Sequence, residues 1–227
     1  MTGIADAFRT VLAMRGELAG ILALSLLVSG AAVAVAMLLG VPAGIFLALR
    51  RFPGRHMVVT LVNTGMGLPP VVVGLFVFLL LARSGPLGAL EMLYTPWAMV
   101  LAQIVIATPL VTGITLAAIQ GLDERVHLQI LSLGASRVQY HWKLVQEARL
   151  SLAAALAAGF GSIISEVGAV MIVGGNIQGQ TRVMTTAIVL QTRQGDFAAA
   201  VVLGTILLLL TMLFNWLFTW IQQRQTA

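Results

Sequence analysis

The sequence predicts an all-α membrane protein with about five transmembrane helices. Of its 227 residues, 59% are hydrophobic and only 9% are charged, whereas a soluble domain carries roughly a quarter charged residues. The apolar residues come in runs of about 20 or more, the length at which a helix crosses the hydrocarbon core of a bilayer. The mean hydropathy of +0.99 is in line with this. We therefore expect residues 1–227 to form a single transmembrane domain.

The charge and the cysteine count exclude several classes of protein. The net charge is +5, but the basic residues are scattered and form no stripe with interleaved aromatic residues, so nucleic-acid binding is not expected. The chain has no cysteine, which excludes disulfides, thiol catalysis and cysteine-ligated metal.

The first predicted span covers 18–49. At 1.5 Å per residue this run is longer than the roughly 30 Å hydrocarbon core, so it is either one long helix or a helix bent near Gly40-Val41-Pro42. We predict one long helix. It is followed by a loop with three arginines and two helix breakers, Arg50-Arg51-Phe52-Pro53-Gly54-Arg55.

The second and third predicted spans, 57–82 and 96–119, contain prolines. We expect the second to be broken at Leu68-Pro69-Pro70 and the third to be kinked at Thr108-Pro109, because proline removes a backbone donor and clashes with the preceding turn. The fourth span, 150–173, is rich in Ala and Gly and holds Glu166, the only acid inside a span. The fifth, 197–221, carries Trp216 and Trp220 near its end, at interface depth.

The basic residues predict the orientation of the five spans. An odd number of spans places the two termini on opposite sides, and cytoplasmic loops carry more Lys and Arg. One side has Arg50, Arg51, Arg55, Arg125, Arg137, Lys143, Arg149 and Arg224, and the other has Arg9, Arg15, Arg83, Arg182 and Arg193. We therefore expect the amino terminus outside, and the 50–56 loop, the 120–149 segment and the carboxyl terminus in the cytoplasm.

The 120–149 segment is too polar to cross a membrane. Asp123 and Glu124 suit the amino terminus of a helix, apolar residues follow at 126–133, and Gly134 suits its end. The sequence thus predicts a short surface helix, a turn and a second amphipathic helix. An exposed apolar patch of this kind normally meets a partner.

Here the chain resembles the permease subunits of bacterial type I ABC importers, whose signature loop has a short coupling helix followed by Leu-Gly-Ala-Ser, and Leu133-Gly134-Ala135-Ser136 matches this second half. The first half of the loop differs, because the family's Glu-Ala-Ala aligns with Leu128-Gln129-Ile130 and its later Leu-Pro with Gln146-Glu147. The stretches 68–74 and 165–177 look like the oxyanion branch, which handles molybdate, sulfate and tungstate. The Gln146-Glu147-Ala148-Arg149 variant and the 175–188 stretch most resemble tungstate permeases.

The resemblance implies partners and a mechanism. A homodimer of this subunit in the inner membrane would alternate between outward and inward openings. Two cytoplasmic ATPases would hold the ATP and Mg, and an extracytoplasmic binding protein would deliver the anion. The expected cargo is tungstate, with molybdate or sulfate as alternatives, and no cofactor is expected in this chain. The residues expected to couple the ATPases are Asp123, Glu124, Leu128, Leu131, Leu133, Gly134, Ala135, Ser136 and Arg137.

The residues expected along the translocation pathway or gate are Pro69, Pro70, Ser165, Glu166, Gly174, Gly175 and Asn176. Because a carboxylate in the path would repel an anion, Glu166 is expected either to fix helix packing through hydrogen bonds or to support the gate region. The glycines either permit close helix approach or form, with Asn176, an irregular segment at the outer mouth.

Two other classes of membrane protein are the alternatives to an ABC permease. A stand-alone secondary transporter or channel would often show paired repeats with matching broken helices, and no such repeat is visible. A membrane-embedded enzyme would bring clustered His, Asp, Glu or Ser side chains near a membrane face, and the spans hold no such cluster. There is also no phosphate-binding glycine loop, so we expect no ATP hydrolysis by this chain.

Overall fold

The computed structural model describes residues 15–224, and the regular structure of this part of the chain is helical. The helices are α1 (Arg15–Leu49), α2 (Arg55–Met66), α3 (Pro70–Leu81), α4 (Pro96–Gln120), α5 (Glu124–Ser132), α6 (Arg137–Glu147), α7 (Arg149–Ile164), α8 (Gly168–Gly174), α9 (Met184–Arg193) and α10 (Phe197–Arg224), with a 3-10 turn at Gly88–Leu90. The predicted all-α class is confirmed.

Three helices, α1, α4 and α10, are each long and apolar enough to cross a bilayer. Two bent pairs also qualify when each pair is taken as one span: α2 with α3, bent by 105°, and α6 with α7, bent by 67°. Among the described residues, the count is therefore three spans, or up to five if each bent pair crosses the membrane.

Helix α1 runs without interruption through Pro42, which confirms the prediction of one long helix. Its two glycines on either side of that proline lie directly against α4. A Cβ atom at Gly40 would be 2.8 Å from Val111 Cγ1, and one at Gly44 would be 2.6 Å from Thr115 Cβ. These distances are too short for any side chain, so the two helices pack backbone to side chain in the last third of α1.

Helix α4 also continues through its proline, Pro109, so the predicted kink at this position does not end the helix. The hydroxyl of Thr108 donates to the carbonyl of Ile104 at 2.7 Å, and that of Thr112 donates to the carbonyl of Thr108 at 2.7 Å. Such hydroxyls keep backbone carbonyls satisfied in lipid near a proline.

The second predicted span is broken where the sequence predicts it. Helix α2 ends at Met66, and α3 begins at Pro70, with Pro69 as its extended N-cap residue. Proline suits the first position of a helix because the missing N–H has no intrahelical partner there. None of the 12 residues of α2 is buried, whereas α3 buries Val73, Gly74, Val77 and Leu81.

The fourth predicted span, 150–173, is not one uninterrupted helix, and the structure corrects the sequence here. Helix α7 ends at Ile164 and α8 begins at Gly168. The break contains neither proline nor glycine, so no helix-breaking residue marks it in the sequence. Within the break, the Glu166 side chain accepts a hydrogen bond from the Ala169 N–H in the first turn of the second helix.

The buried side chains form three clusters in order along α1. One end holds Ile21 with Met184, Ala187 and Leu203. The middle holds Val28 and residues from α3, α4, α7 and α8. The other end holds Ile45 with Ile119, Ile130, Leu144 and Leu152. Because Ile130 and Leu144 belong to α5 and α6, the 120–149 segment is packed against one end of the molecule.

Candidate functional site

Helices α5 and α6 form the helix–turn–helix that the sequence predicts. Asp123 caps α5 by accepting a hydrogen bond from the Arg125 N–H at 2.9 Å. Gly134 ends the segment in the left-handed region, at φ +72°. Ser136 caps α6 in a reciprocal pair with Gln139, whose side-chain oxygen accepts from the Ser136 N–H at 2.8 Å. Each polar residue at these ends thus has a local structural reason to be there.

One face of this helix pair is apolar and open to solvent. Leu128, Leu131 and Leu133 are exposed, Leu133 by 80%. Two apolar residues of α6 that were not among the predicted coupling residues, Val138 and Trp142, are also exposed, by 80% and 62%. Their spacing of four residues is the signal that could have found them. We call these five residues the coupling surface.

The opposite face of the pair is anchored. Ile130 and Leu144 are buried against the ends of α1 and α4. His127 Nδ1 and the Tyr140 hydroxyl share a 2.8 Å hydrogen bond that joins α5 to α6. Burial raises the pKa of Tyr140, so its hydroxyl remains protonated at neutral pH. A groove of about 610 Å³ lies beside this anchor and is lined by Arg51, Arg55, Gln120, Glu124 and His127, among others.

The two helix breaks come together in space. A Cβ atom at Gly74 of α3 would lie 2.6 Å from the Ala169 Cα of α8, and one at Gly168 would overlap the side chain of Val71. Helices α3 and α8 therefore start side by side, which brings Pro69 and Pro70 close to Ser165 and Glu166. Ser165 itself is exposed, and its hydroxyl donates back to the Gly161 carbonyl at 2.8 Å.

Glu166 is half-buried and acts as a backbone cap. Its Oε1 accepts a hydrogen bond from the Ala169 N–H at 3.0 Å, and its carbonyl accepts from the Thr185 hydroxyl at 3.0 Å. This geometry fits the expectation that Glu166 fixes helix packing through hydrogen bonds. The carboxylate of Glu166 thus contacts α8, and its backbone carbonyl contacts α9.

A small polar cavity of about 10 Å³ lies beside Glu166, roughly the room that one water molecule needs. Its polar lining is Ser25, Ser29, Gln103, Glu166 and Thr185. The amide nitrogen of Gln103 donates to the Ile163 carbonyl at 3.0 Å, while its buried oxygen has no partner among the described residues. Such a free acceptor inside a membrane domain suits a bound water.

The remaining pathway candidates, Gly174, Gly175 and Asn176, lie at the other end of α8, about 10 Å from the breaks by helix length. Gly175 has φ +70° and lies against the ring of Tyr94. Asn176 also has positive φ, at +54°. The structure thus divides the predicted pathway residues into two groups, one at the breaks and one where α8 ends.

A charged cluster next to this second group was missed by the sequence analysis. Arg182 Nη1 donates to Glu17 Oε1 at 2.6 Å, and Gln178 Nε2 donates to Glu17 Oε2 at 2.9 Å. The two chain segments are 165 residues apart, so no local pattern could have revealed the pair. In the described part of the chain, no group of three or more His, Asp or Glu side chains is placed to hold a metal ion.

Residues 40–227 match the family described as the binding-protein-dependent transport system inner membrane component. The chain belongs to this family of ABC importer permeases. The permease is 42% identical over 203 residues to a probable anion ABC transporter permease protein of Haloferax volcanii, covering 87% of this chain and 88% of the relative. It is 36% identical over 219 residues to the tungstate uptake system permease protein TupB of Peptoclostridium acidaminophilum, covering 95% and 96%.

Solved structures support the fold of the permease. A bacterial ABC transporter involved in the import of the acidic polysaccharide alginate matches with a TM-score of 0.78 at 18% identity, over 98% of this chain and 84% of that chain. An amino acid ABC transporter crystallised with histidines matches with a TM-score of 0.71, also at 18% identity, over 96% and 98%. The type I importer fold and the resemblance to tungstate permeases are therefore confirmed.

Proposed function

We propose that this permease moves a tetrahedral oxyanion across the inner membrane by alternating access, driven by a separate ATPase. Tungstate is the expected cargo, and molybdate or sulfate are the alternatives. Support comes from the relatives, which include permeases of tungstate uptake systems at 36% and 34% identity and, more distantly, a sulfate permease at 24%.

The coupling surface carries this proposal. Monomeric soluble proteins rarely expose a large apolar patch unless a partner covers it. All five residues of the coupling surface are apolar and exposed. Because the rear of the segment packs on α1 and α4, a movement of whatever binds the front passes directly into two spanning helices. This arrangement suits a subunit that receives its energy from a cytoplasmic ATPase.

The proposed assembly contains two copies of the permease, two ATPases on the coupling surfaces, and an external binding protein. The coupling surface is placed in the cytoplasm. Helix α1 has 35 residues and so is about 50 Å long. Its Leu49 end lies near the coupling segment, so under this proposal its Arg15 end faces the outside.

Uptake by reconstituted vesicles tests the proposal. The permease, a candidate ATPase encoded beside it and a candidate binding protein are placed in liposomes, and tungstate, molybdate and sulfate uptake is measured with and without ATP. We expect uptake to require ATP and both partners. If the permease alone moved the anion down a gradient, it would be a stand-alone transporter or channel instead.

Replacing Leu133 with Asp tests the coupling surface. The change puts a charge at an 80% exposed position that the ATPase is expected to bury, so we expect ATP-driven uptake to fall roughly tenfold or more, since burying an unpaired charge costs several kcal/mol. Leu90→Asp is the matched control, because Leu90 is also exposed but lies in the loop at the opposite end of α4. Equal losses in both variants would contradict the assignment.

A further inference from the structure

The outer end of the permease carries a carboxylate held by two side chains of one loop. Each oxygen of Glu17 receives a hydrogen bond, one from Arg182 at 2.6 Å and one from Gln178 at 2.9 Å. The side chains of Arg182 and Glu17 are only 13% and 22% exposed. A salt bridge sheltered to this extent is stronger than a pair on an open surface.

The loop that presents the two donors is ordered by its own backbone. The N–H groups of Gln180, Thr181 and Arg182 all donate to the carbonyl of Ile177, at 3.1, 2.9 and 3.1 Å. The Thr181 hydroxyl donates to the Gly174 carbonyl at 2.5 Å and accepts from the Ile177 N–H at 2.9 Å. The backbone that carries the two donors is therefore held without any contact to Glu17, which belongs to α1.

Arg182 has an N–H donor that its contact with Glu17 does not use. Its guanidinium has five N–H donors in a planar fork that fits the oxygens of an oxyanion. Here the buried Nε finds no acceptor within the described chain, and the contact to Glu17 is through Nη1. A tetrahedral dianion offers more oxygens than this contact uses and carries twice the charge of a carboxylate, so its attraction to the guanidinium is greater.

We propose that Arg182 and Gln178 form an oxyanion-receiving site at the outer end of the permease, and that Glu17 fills this site in the arrangement seen here. The inference rests on the proposed function, because it takes the cargo to be an oxyanion. When the outer end of α1 moves away from the 175–183 loop, Glu17 leaves and the anion takes its place. Glu17 thus acts as a tethered competitor that closes the site between transport cycles.

The test compares Arg182→Gln with Glu17→Gln in vesicles that contain the assembled transporter. The measured quantity is tungstate transported per ATP hydrolysed, with sulfate as the second probe. For Arg182→Gln we expect this ratio to fall roughly tenfold, the factor that corresponds to about 1.4 kcal/mol. For Glu17→Gln we expect no fall in the ratio, because the receiving donors remain and their competitor is weakened.

A purely structural ion pair predicts a different result. Either substitution removes one charge of the pair, so the two ratios would fall together, and this outcome would overturn the inference. Arg193→Gln is the matched control, since Arg193 is exposed at the end of α9 and its loss should leave the ratio unchanged. If Arg182→Gln does not assemble, Arg182→Lys keeps the charge without the planar fork, and a ratio as high as wild type would also overturn the inference.

Failure of the proposed function would look different again. If the wild-type complex moved none of the tested oxyanions, the proposed cargo would be wrong. If wild type moved tungstate and Arg182→Gln kept the same ratio, only the receiving site would be wrong.

Discussion

The permease contains two broken helices that start their second halves side by side, yet the breaks are made differently. The first, between α2 and α3, lies at Pro69-Pro70, and the helix before it has no buried residue. The second, between α7 and α8, has no proline, and Glu166 caps the new helix, whose Ala169, Val170, Val173 and Gly174 are buried. Proline geometry makes one break, whereas at the other a side-chain hydrogen bond caps the new helix and a second bond ties the break to α9.

The contact between the two second halves should be the most sensitive point. Gly74→Val places a side chain where a Cβ atom would already be 2.6 Å from the Ala169 Cα. We expect a loss of about 3 kcal/mol in stability or failure to assemble, since overpacking against backbone cannot relax by a rotamer change. The measurement is the apparent thermal midpoint of the purified permease in detergent.

Gly161→Ala is the control for this change. Nothing lies within 4 Å of a Cβ atom at Gly161, and alanine favours a helix over glycine by up to about 1 kcal/mol. A midpoint equal to or above wild type is expected. A Gly74→Val midpoint matching that of Gly161→Ala would show that α3 and α8 are not packed as described.

Removing the carboxylate should have a moderate effect. Glu166→Ala deletes the acceptor for the Ala169 N–H, and losing a cap costs about 1 kcal/mol. Asp196→Ala is the matched comparison, because Asp196 accepts from the Ala199 N–H at 3.0 Å in the same way at the start of α10. We expect similar shifts of the thermal midpoint.

Glu166→Gln separates the cap from its charge. The amide oxygen can still accept a hydrogen bond from the Ala169 N–H, so the cap is kept. We expect ATP-driven uptake to stay within about threefold of wild type, because a weaker hydrogen bond at this position costs under about 1 kcal/mol. Complete loss of uptake in an assembled Glu166→Gln complex would show that the charge, rather than the cap, matters for transport.

The smallest effect is expected at the proline break. Pro70→Ala should change stability by less than about 1 kcal/mol, because the first position of a helix needs no N–H acceptor. The chain lacks cysteine, so spin labels at Met57→Cys and Leu79→Cys, both exposed, can report the bend. A continuous helix would separate the labelled backbones by about 33 Å. A shift towards that distance on Pro70→Ala would mean that proline alone holds the bend.

The sequence predicted the features that local chemistry determines. The break at Pro69-Pro70, the continuous α1, and the capped turn around Gly134 each follow from residue types within a few positions of one another. The apolar positions of α5 also follow from spacing alone, and Val138 and Trp142 of α6 had the same signal available.

Tertiary contacts account for what was missed. The break at 165–167 lies in an apolar run with neither proline nor glycine at the break itself, and the Thr185 hydroxyl of α9 donates to the Glu166 carbonyl there. The pair of Glu17 with Arg182 joins positions at opposite ends of the chain. Helix α8 separates Gly174, Gly175 and Asn176 from the other pathway candidates. The sequence predicts one continuous span at this place, without a break before α8.

The unbroken helix α1 contributes to all three buried clusters, from one end of the molecule to the other. Ile45 near one end packs in the cluster that anchors the coupling segment, and Glu17 near the other is paired with Arg182. For a helix about 50 Å long, a tilt of about 10° around the midpoint displaces each end by roughly 4 Å. A displacement of that size exceeds the reach of a hydrogen bond. A small rocking motion driven from the coupling segment is therefore large enough to separate Glu17 from Arg182 at the other end of α1.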